Sequence, residues 1–375
     1  MLGKYSSVSA ILIFALLIVM CGFAGAREGD LNGDGFINFK DLDAISEQWL
    51  SDNCCINDWC DELDLDRSDR VDLADFSIWA WYWPGVPDPL EEIEKQIDAL
   101  ISQMTLQEKV EQMGGDPSGF STSDNTRLGI PGLLMSDGPQ GVRWGVATCF
   151  PSPMALGASW DAGLTEQVGA AMGREFRGKG RYVGLAPCLN IIRDARGGRS
   201  FETSGEDPYL SSKIAPAYVR GMQSEKVIAC PKHFACNNQE NGRFTNDVQV
   251  NERTLREIYL PAFKACVKEA DAWSVMSAYN KVNGDYCSAS SHLLSDILKN
   301  EWGFKGFVVS DWGACHSTVK SANAGLDVEM PNADYFGQPL IDAVNGGQVS
   351  MATIDDSVRR ILRTKFYADV FDNPV

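Results

Sequence analysis

A carboxylate closes the apolar run GFVVSDWG at 306–313, and its position gives the chain its first chemical meaning. Phe307, Val308 and Val309 have the length and the aromatic and β-branched character of a fully buried parallel strand, so Asp311 falls at the strand's carboxyl end with Trp312 beside it. In α/β barrels that rim is where the chemistry is done. Four other apolar runs also lead into polar clusters. These are Ser136, Asp137 and Arg143; Asn190 to Arg193 with Arg199 and Glu202; Lys232, His233 and Asn238; and Met276, Tyr279 and Asn280. A pocket built from Asp, Arg, Lys, His, Tyr and Trp suits a sugar, because charged groups make directional bonds to hydroxyls and an indole offers a flat apolar face. Each residue also has a plainer reading. Asp137 could be a turn residue before Gly-Pro, Lys232 and His233 a capped strand end, and Arg199 the partner of Glu202 or Glu206 in an ion pair.

A second constellation is acidic. In the twelve residues from Asp30 to Asp41, Asp30, Asn32, Asp34, Asn38 and Asp41 hold positions 1, 3, 5, 9 and 12, with Gly35 at 6 and Phe36 offering its carbonyl at 7. Asp64, Asp66, Ser68, Asp72 and Asp75 repeat the pattern, with Arg70 at position 7 and Asp69 where glycine is expected. Calcium takes six to eight hard oxygen ligands, and such a loop supplies them. Helix-like segments at 42–50 and 76–83 follow the loops. The pattern predicts a small all-α calcium-binding module over 28–83.

The elements that must position these residues follow from periodicity. Helical spacing runs over 90–113, 164–176, 252–269 and 354–367, and strand-like runs cover 132–135, 182–186, 227–229, 273–276, 307–309 and 326–329. Their alternation predicts an α/β fold, a (β/α)8 TIM-like barrel over 90–375. No Gly-rich phosphate turn follows an early strand, which argues against a doubly wound sheet. Residues 84–89, with three prolines, read as a stiff linker. Residues 1–26 combine Lys4, an apolar run from Val8 to Met20 and an Ala-Gly-Ala end, the pattern of a signal peptide, so the protein is expected to be secreted, cell-surface associated or periplasmic. No other stretch could span a bilayer.

The formal charge is −18, and residues 27–89 hold 16 acidic and 4 basic side chains, a net of −12. Such a charge disfavours nucleic acid and favours divalent cations. Export permits disulfides among the ten cysteines beyond residue 26; Cys54, Cys55 and Cys60 cluster in the small module, while Cys188, Cys230, Cys236 and Cys266 read as core residues. His292 and His316 read as incidental.

Residues 90–375 resemble the N-terminal barrel of glycoside hydrolase family 3, carried by SDGPQGVR at 136–143, GRSFETSGEDP at 198–208, KHFACNNQENGR at 232–243, VMSAYNKVNG at 275–284 and GFVVSDWG at 306–313. The resemblance implies that Asp311 is the nucleophile of a retaining glycosidase. Asp137, Arg199, Lys232, His233, Arg243 and Tyr279 would hold glycone hydroxyls or orient the nucleophile, and Arg143, Met276 and Trp312 would form the pocket wall. The continuation Ala-Cys-Asn-Asn after Lys232-His233-Phe234 separates the chain from the branch acting on N-acetylhexosamines. Asp137, where xylosidase-like members often carry Glu, points to a glucose-type glycone.

Retaining glycosidases pair the nucleophile with a second carboxyl about 5–5.5 Å away. In the β-glucosidase branch that acid resembles a Glu of a following α/β sandwich domain, and the chain ends at Val375 where the barrel hands over to it, so no acid/base residue is named and the chain alone is expected to be incomplete. Residues 28–83 resemble dockerin modules, which implies Ca2+ as cofactor and a cohesin-type protein partner. Three functions remain open: a β-glucosidase-type hydrolase acting on an oligosaccharide or glucoside, a non-catalytic carbohydrate-binding or scaffold-tethered component, and a xylosidase-like member of the family.

Overall fold

The computed structural model describes residues 89–373. The signal peptide expected at 1–26, the calcium module expected at 28–83 with all its candidate ligands, and residues 84–88 of the expected linker lie outside the described residues. Pro89, assigned to the linker from sequence, is the first residue of helix Pro89–Gln103. The barrel lies within the compact unit that begins at Glu94.

The wall is built from short parallel strands whose residues, apart from Asp137 at the end of the first, are buried. Strands β1 (Met135–Asp137), β2 (Val183–Leu185) and β3 (Ile228–Ala229) pair in that order. A small side sheet follows: β4 (Asp247–Val248) pairs in parallel with β6 (Lys281–Val282), which turns at Asn283-Gly284 into β7 (Asp285–Tyr286). Both turn residues have positive φ, 52° and 97°, the tight-hairpin geometry that Asn-Gly favours. The wall resumes with β5 (Ser274–Ser277) against β8 (Phe307–Ser310).

Single bridges close the ring. Phe234 N–H donates to Met276 O at 2.8 Å and Ala278 N–H to Phe234 O at 2.8 Å, joining the β3 stave to β5. Beyond β8, Val328 N–H donates to Val308 O at 2.9 Å, and Glu329 N–H donates to Met113 O at 2.9 Å. Residues 113–115 then turn back, with Asp116 N–H donating to Ser121 O (2.8 Å), and Met135 N–H of β1 donates to Phe120 O at 2.7 Å. The barrel is therefore TIM-like with one departure from uniform alternation. A tight turn through Asp116-Pro-Ser-Gly-Phe-Ser121 replaces a βα crossover, which needs a dozen or more residues, so the stave at 120–122 runs antiparallel. Gly115 permits this seam, since a Cβ there would stand 2.0 Å from the Pro331 carbonyl oxygen.

Helices cover the wall. Asp161 caps Ala162–Gly178, its carboxylate accepting from Leu164 N–H at 2.8 Å, and that helix buries Thr165, Gly169, Met172 and Phe176. It lies so close to Pro208–Ser224 that a Cβ on Gly169 would stand 2.6 Å from Tyr218 O. Helix Met351–Tyr367 buries Ile354, Val358, Ile361 and Leu362, and its Lys365 ammonium donates to Gln112 Oε1 (2.6 Å) and to Pro131 O (2.7 Å).

Two predicted helices are broken, each for a local reason. The stretch 90–113 divides at Thr105, whose side chain and Glu108 cap one another reciprocally and start a new helix, Leu106–Gln112. The stretch 252–269 becomes Glu252–Thr254, a π-helical turn Leu255–Tyr259 and a helix Pro261–Ala270, because Pro261 has no N–H to continue the ladder. The strand predicted at 132–135 lies instead at Met135–Asp137, and 326–329 joins the wall through isolated bridges. Among the described residues no helix is long and apolar enough to cross a membrane.

Candidate active site

The site is built at the carboxyl ends of the strands. Asp137 ends β1, Lys232 and His233 follow β3, Tyr279 follows β5 and Asp311 follows β8. Lys232 is 2% exposed, and its ammonium donates to Asp137 Oδ1 at 2.8 Å; the Arg143 guanidinium stands 4.0 Å from Oδ2. Burial opposes the charge on Asp137, but Lys232, Arg143 and Arg199 outweigh it and hold the carboxyl below its ordinary range. Burial likewise opposes the charge on Lys232, and Asp137 more than restores it.

His233, 3% exposed, stands between two arms of the network. Its Nδ1 lies 3.0 Å from Asn190 Oδ1, its Nε2 lies 3.0 Å from Arg199 Nη1, and the same Nε2 is 3.5 Å from Asp311 Oδ2. Arg199 also grips Glu202 Oε2 through Nε (2.9 Å) and Nη2 (2.6 Å). The ion pair foreseen for Arg199 is therefore present, on the same side chain that meets His233. Burial, then the charges of Arg199, Lys232 and Arg243, drive the His233 pKa well down and keep the ring neutral.

Asp311 is 7% exposed. Its Oδ1 accepts from the Trp312 N–H at 2.8 Å, while Oδ2 is buried with no hydrogen-bond partner. Neighbouring Lys and Arg favour its charge, but burial dominates, and Lys232, the Trp312 amide, Tyr279 and Arg199 offset it only in part, so the pKa of Asp311 is raised above the ordinary aspartate range. The cations are already committed, Lys232 to Asp137 and Arg199 to Glu202 and His233.

The remaining candidates frame this centre. Tyr279 donates its hydroxyl to Trp312 O at 3.2 Å, and Arg243 lies over the Tyr279 ring at 4.4 Å while pairing with Glu240 at 2.6 Å. Trp312 is pinned by its indole N–H to Gly119 O (2.8 Å) and packs on Phe120, ring centroids 5.1 Å apart. Met276 is 1% exposed within β5, part of the wall itself. His292 pairs with Glu252 at 2.9 Å, and His316 packs on Tyr286; neither touches this network.

The sequence placed Asn190 in a polar cluster but gave it no role, and the structure gives it one. Besides the contact to Nδ1, its Oδ1 accepts from the His233 N–H (3.0 Å) and its Nδ2 donates to the His233 carbonyl (2.8 Å). The available signal was a lone amide inside the apolar run Pro-Cys-Leu-Asn-Ile-Ile, since a buried polar group needs partners. Cys188, read as a plain core residue, is buried with its thiol 3.3 Å from Glu202 Oε2, and burial pushes its pKa up to about 12.

The profile of the glycosyl hydrolase family 3 N-terminal domain matches residues 94–364. The chain belongs to glycosyl hydrolase family 3. Similar members of family 3 include the thermostable beta-glucosidase B of Acetivibrio thermocellus, 46% identical over 286 residues that cover 72% of this chain and 38% of that protein. A beta-glucosidase of Rhizobium radiobacter is 46% identical over 274 residues, 71% of this chain and 33% of that protein. Among solved structures, beta-glucosidase 3B from Thermotoga neapolitana in complex with glucose superposes with a TM-score of 0.71 at 40% identity, covering 74% of this chain and 43% of that one. The chain thus spans well under half the length of these family 3 relatives.

Proposed function

We propose that this family 3 barrel supplies the nucleophile and the glycone pocket of a retaining β-glucosidase-type hydrolase acting on terminal β-D-glucosyl residues of oligosaccharides or glucosides. The observation that carries the reading is Asp311 Oδ2, a buried carboxylate oxygen without a donor at the strand-end rim, ringed by Lys232, Arg199 and His233. In the first step Oδ2 bonds to the anomeric carbon as the glycosidic C–O bond breaks, and a general acid protonates the departing oxygen; in the second, water cleaves the glycosyl ester and Asp311 is regenerated. The barrel residues do the holding: Asp137, charged beside Lys232, accepts from glycone hydroxyls, and Arg199, Arg143 and Arg243 donate to them. Glu202 and Glu240 are each occupied by an arginine, and proton donation is assigned to no residue of the barrel. The β-glucosidase names of the relatives support glucose as the glycone.

The expected result in calorimetry is that glucose binds, with xylose and N-acetylglucosamine weaker. Asp137→Ala should weaken glucose roughly 10- to 100-fold, the loss of a charged hydrogen bond worth about 1.5–3 kcal/mol. Xylose binding as well as glucose would move the reading to a xylosidase-like enzyme.

For residues 28–83 we propose a dockerin-like module that binds Ca2+ through Asp30, Asn32, Asp34, Phe36 O, Asn38 and Asp41 and through the second loop, and that tethers the exported protein to a cohesin-type partner. The doubled loop pattern supports this. Calorimetry on the full chain should give about two calcium sites per molecule, the first loop tighter because it keeps Gly35, and chelation should reduce helical content. An absence of heat at millimolar calcium would eliminate the module.

A further inference from the structure

We infer that Asn190 is a positioning residue: it fixes His233 as the tautomer protonated on Nδ1 and so keeps that ring from donating a hydrogen bond to Asp311 Oδ2. The inference rests on Asp311 being the nucleophile.

The argument needs only donor and acceptor chemistry. A backbone N–H can only donate and a backbone carbonyl can only accept. The His233 N–H lies 3.0 Å from one end of the Asn190 amide and the His233 carbonyl 2.8 Å from the other, so the first end must be oxygen and the second nitrogen. Asn190 Oδ1 in turn faces His233 Nδ1 at 3.0 Å, and an oxygen there requires a proton on Nδ1. In a neutral ring Nε2 is then bare. Its neighbour agrees: Arg199 Nη1, 3.0 Å away, has only protons to give. An imidazolium would set N–H against N–H at that distance, and the surrounding burial and cationic charge also disfavour it.

Nε2 also stands 3.5 Å from Asp311 Oδ2. In the other tautomer an N–H would point between Arg199 and Asp311. It would displace the guanidinium from the ring and donate to the oxygen that must attack, lowering its nucleophilicity. With Asn190 in place neither happens, and Arg199 stays fixed between His233 and Glu202. Asn190 reaches Asp311 only through His233, which is why its role is positioning.

The chain has three histidines, so 15N-histidine NMR can follow each ring, with His233→Gln assigning the relevant signal. Wild type at pH 7 should show His233 as the Nδ1–H form. Asn190→Ala should mix the tautomers and slow the labelling of Asp311 by an activated 2-fluoro glucoside by roughly 10- to 100-fold, the range seen when outer-shell partners of working histidines are removed. Glucose affinity should fall by much less than the labelling rate, since Asn190 reaches the hydroxyl-binding Arg199 only by way of the His233 ring. Asn190→Asp keeps the acceptor for Nδ1, so it should preserve the tautomer while making the ring easier to protonate; because its second oxygen would face the His233 carbonyl, now bonded at 2.8 Å by Nδ2, the rate should recover only in part, and the wild-type tautomer remains the deciding readout if Asn190→Ala folds poorly. A wild-type ring protonated on Nε2, or an Asn190→Ala protein with unchanged tautomer and rate, would overturn the inference. Wild type that shows the assigned tautomer but neither binds glucose nor labels Asp311 would instead overturn the nucleophile reading and with it the functional half of the inference.

Discussion

Incubated with a 2-fluoro glucoside carrying a good leaving group, the protein should acquire a glycosyl ester on Asp311, and Asp311→Asn should lower that labelling by at least about a thousandfold. The substitution is informative because it spares the local structure. Asparagine retains an oxygen for the Trp312 N–H, now held at 2.8 Å by Oδ1, and removes only the nucleophilic charge. An activated leaving group departs without protonation, so the experiment reads Asp311 independently of the general acid. A natural glucoside, which needs that proton, should react about 10²- to 10⁴-fold more slowly if no acid is provided. The pH profile carries a second signature. Burial raises the Asp311 pKa, and the reactive form is the carboxylate, so the acidic limb of labelling should lie above the ordinary aspartate range and the rate should fall as pH drops through it. Peptide mapping by mass spectrometry locates the ester. An ester on another residue would remove Asp311 from the mechanism, and glucose binding with no ester at all would favour a non-catalytic carbohydrate-binding component.

Stability should respond to pH through two buried groups with opposite signs. Glu329, 4% exposed, has its pKa pushed up to about 7 by burial, against the Tyr335 and Phe336 amides that favour its charge and the Asp334 carboxylate that does not. Lys365, fully buried, has its pKa driven down to about 7, with Asp124 resisting only weakly. Between about pH 4.5 and 7 the folded protein keeps a proton on Glu329 that the unfolded chain has lost, so this contribution falls as pH rises. Between about 7 and 10.5 the unfolded chain keeps a proton on Lys365 that the folded protein lacks, so this contribution grows as pH rises. Each can amount to several kcal/mol at most, at about 1.4 kcal/mol per tenfold change in proton affinity. Neutral His233 pulls against Glu329 below about pH 6.5, so difference curves against variants are the clean readout. In urea titrations the stability of Glu329→Gln relative to wild type should improve from pH 5 to 8, and that of Lys365→Met should decline from pH 7.5 to 10. Flat difference curves would show that neither group titrates where its surroundings place it.

The sequence made the rim legible because each candidate side chain sits just after an apolar run, and a buried strand must end where polarity returns. Asp137, Lys232, His233, Tyr279 and Asp311 all lie at such boundaries, and the contacts above link them into one network. The antiparallel stave at 120–122 was not legible, since its residues carry no strand periodicity and its pairing is set by partners at 133–135. Nor was the break at Thr105: Thr-Leu-Gln-Glu fits a helix interior as well as a cap until the reciprocal bonds to Glu108 are seen. The upward push on the Asp311 pKa was not legible because sequence counts nearby cations but cannot show burial or which cations are already engaged. Asn190 escaped notice because its importance lies in three bonds to one residue 43 positions away.

The seam where residues 113–115 meet Glu329 sets the order of events during synthesis. At roughly 5–20 residues per second, well over two hundred residues must be added between Gly114 and Glu329, so the first stave waits on the order of 10–40 s for its partner. Throughout that interval the nascent sheet is an open fan with two unpaired borders, the kind of edge that recruits foreign strands. Asp311 emerges before the stave that supports it, since the Ser310 N–H finds its acceptor only on Val328. A ribosome stalled between residues 312 and 328 therefore carries every catalytic candidate of the barrel on a surface that has not yet become a site.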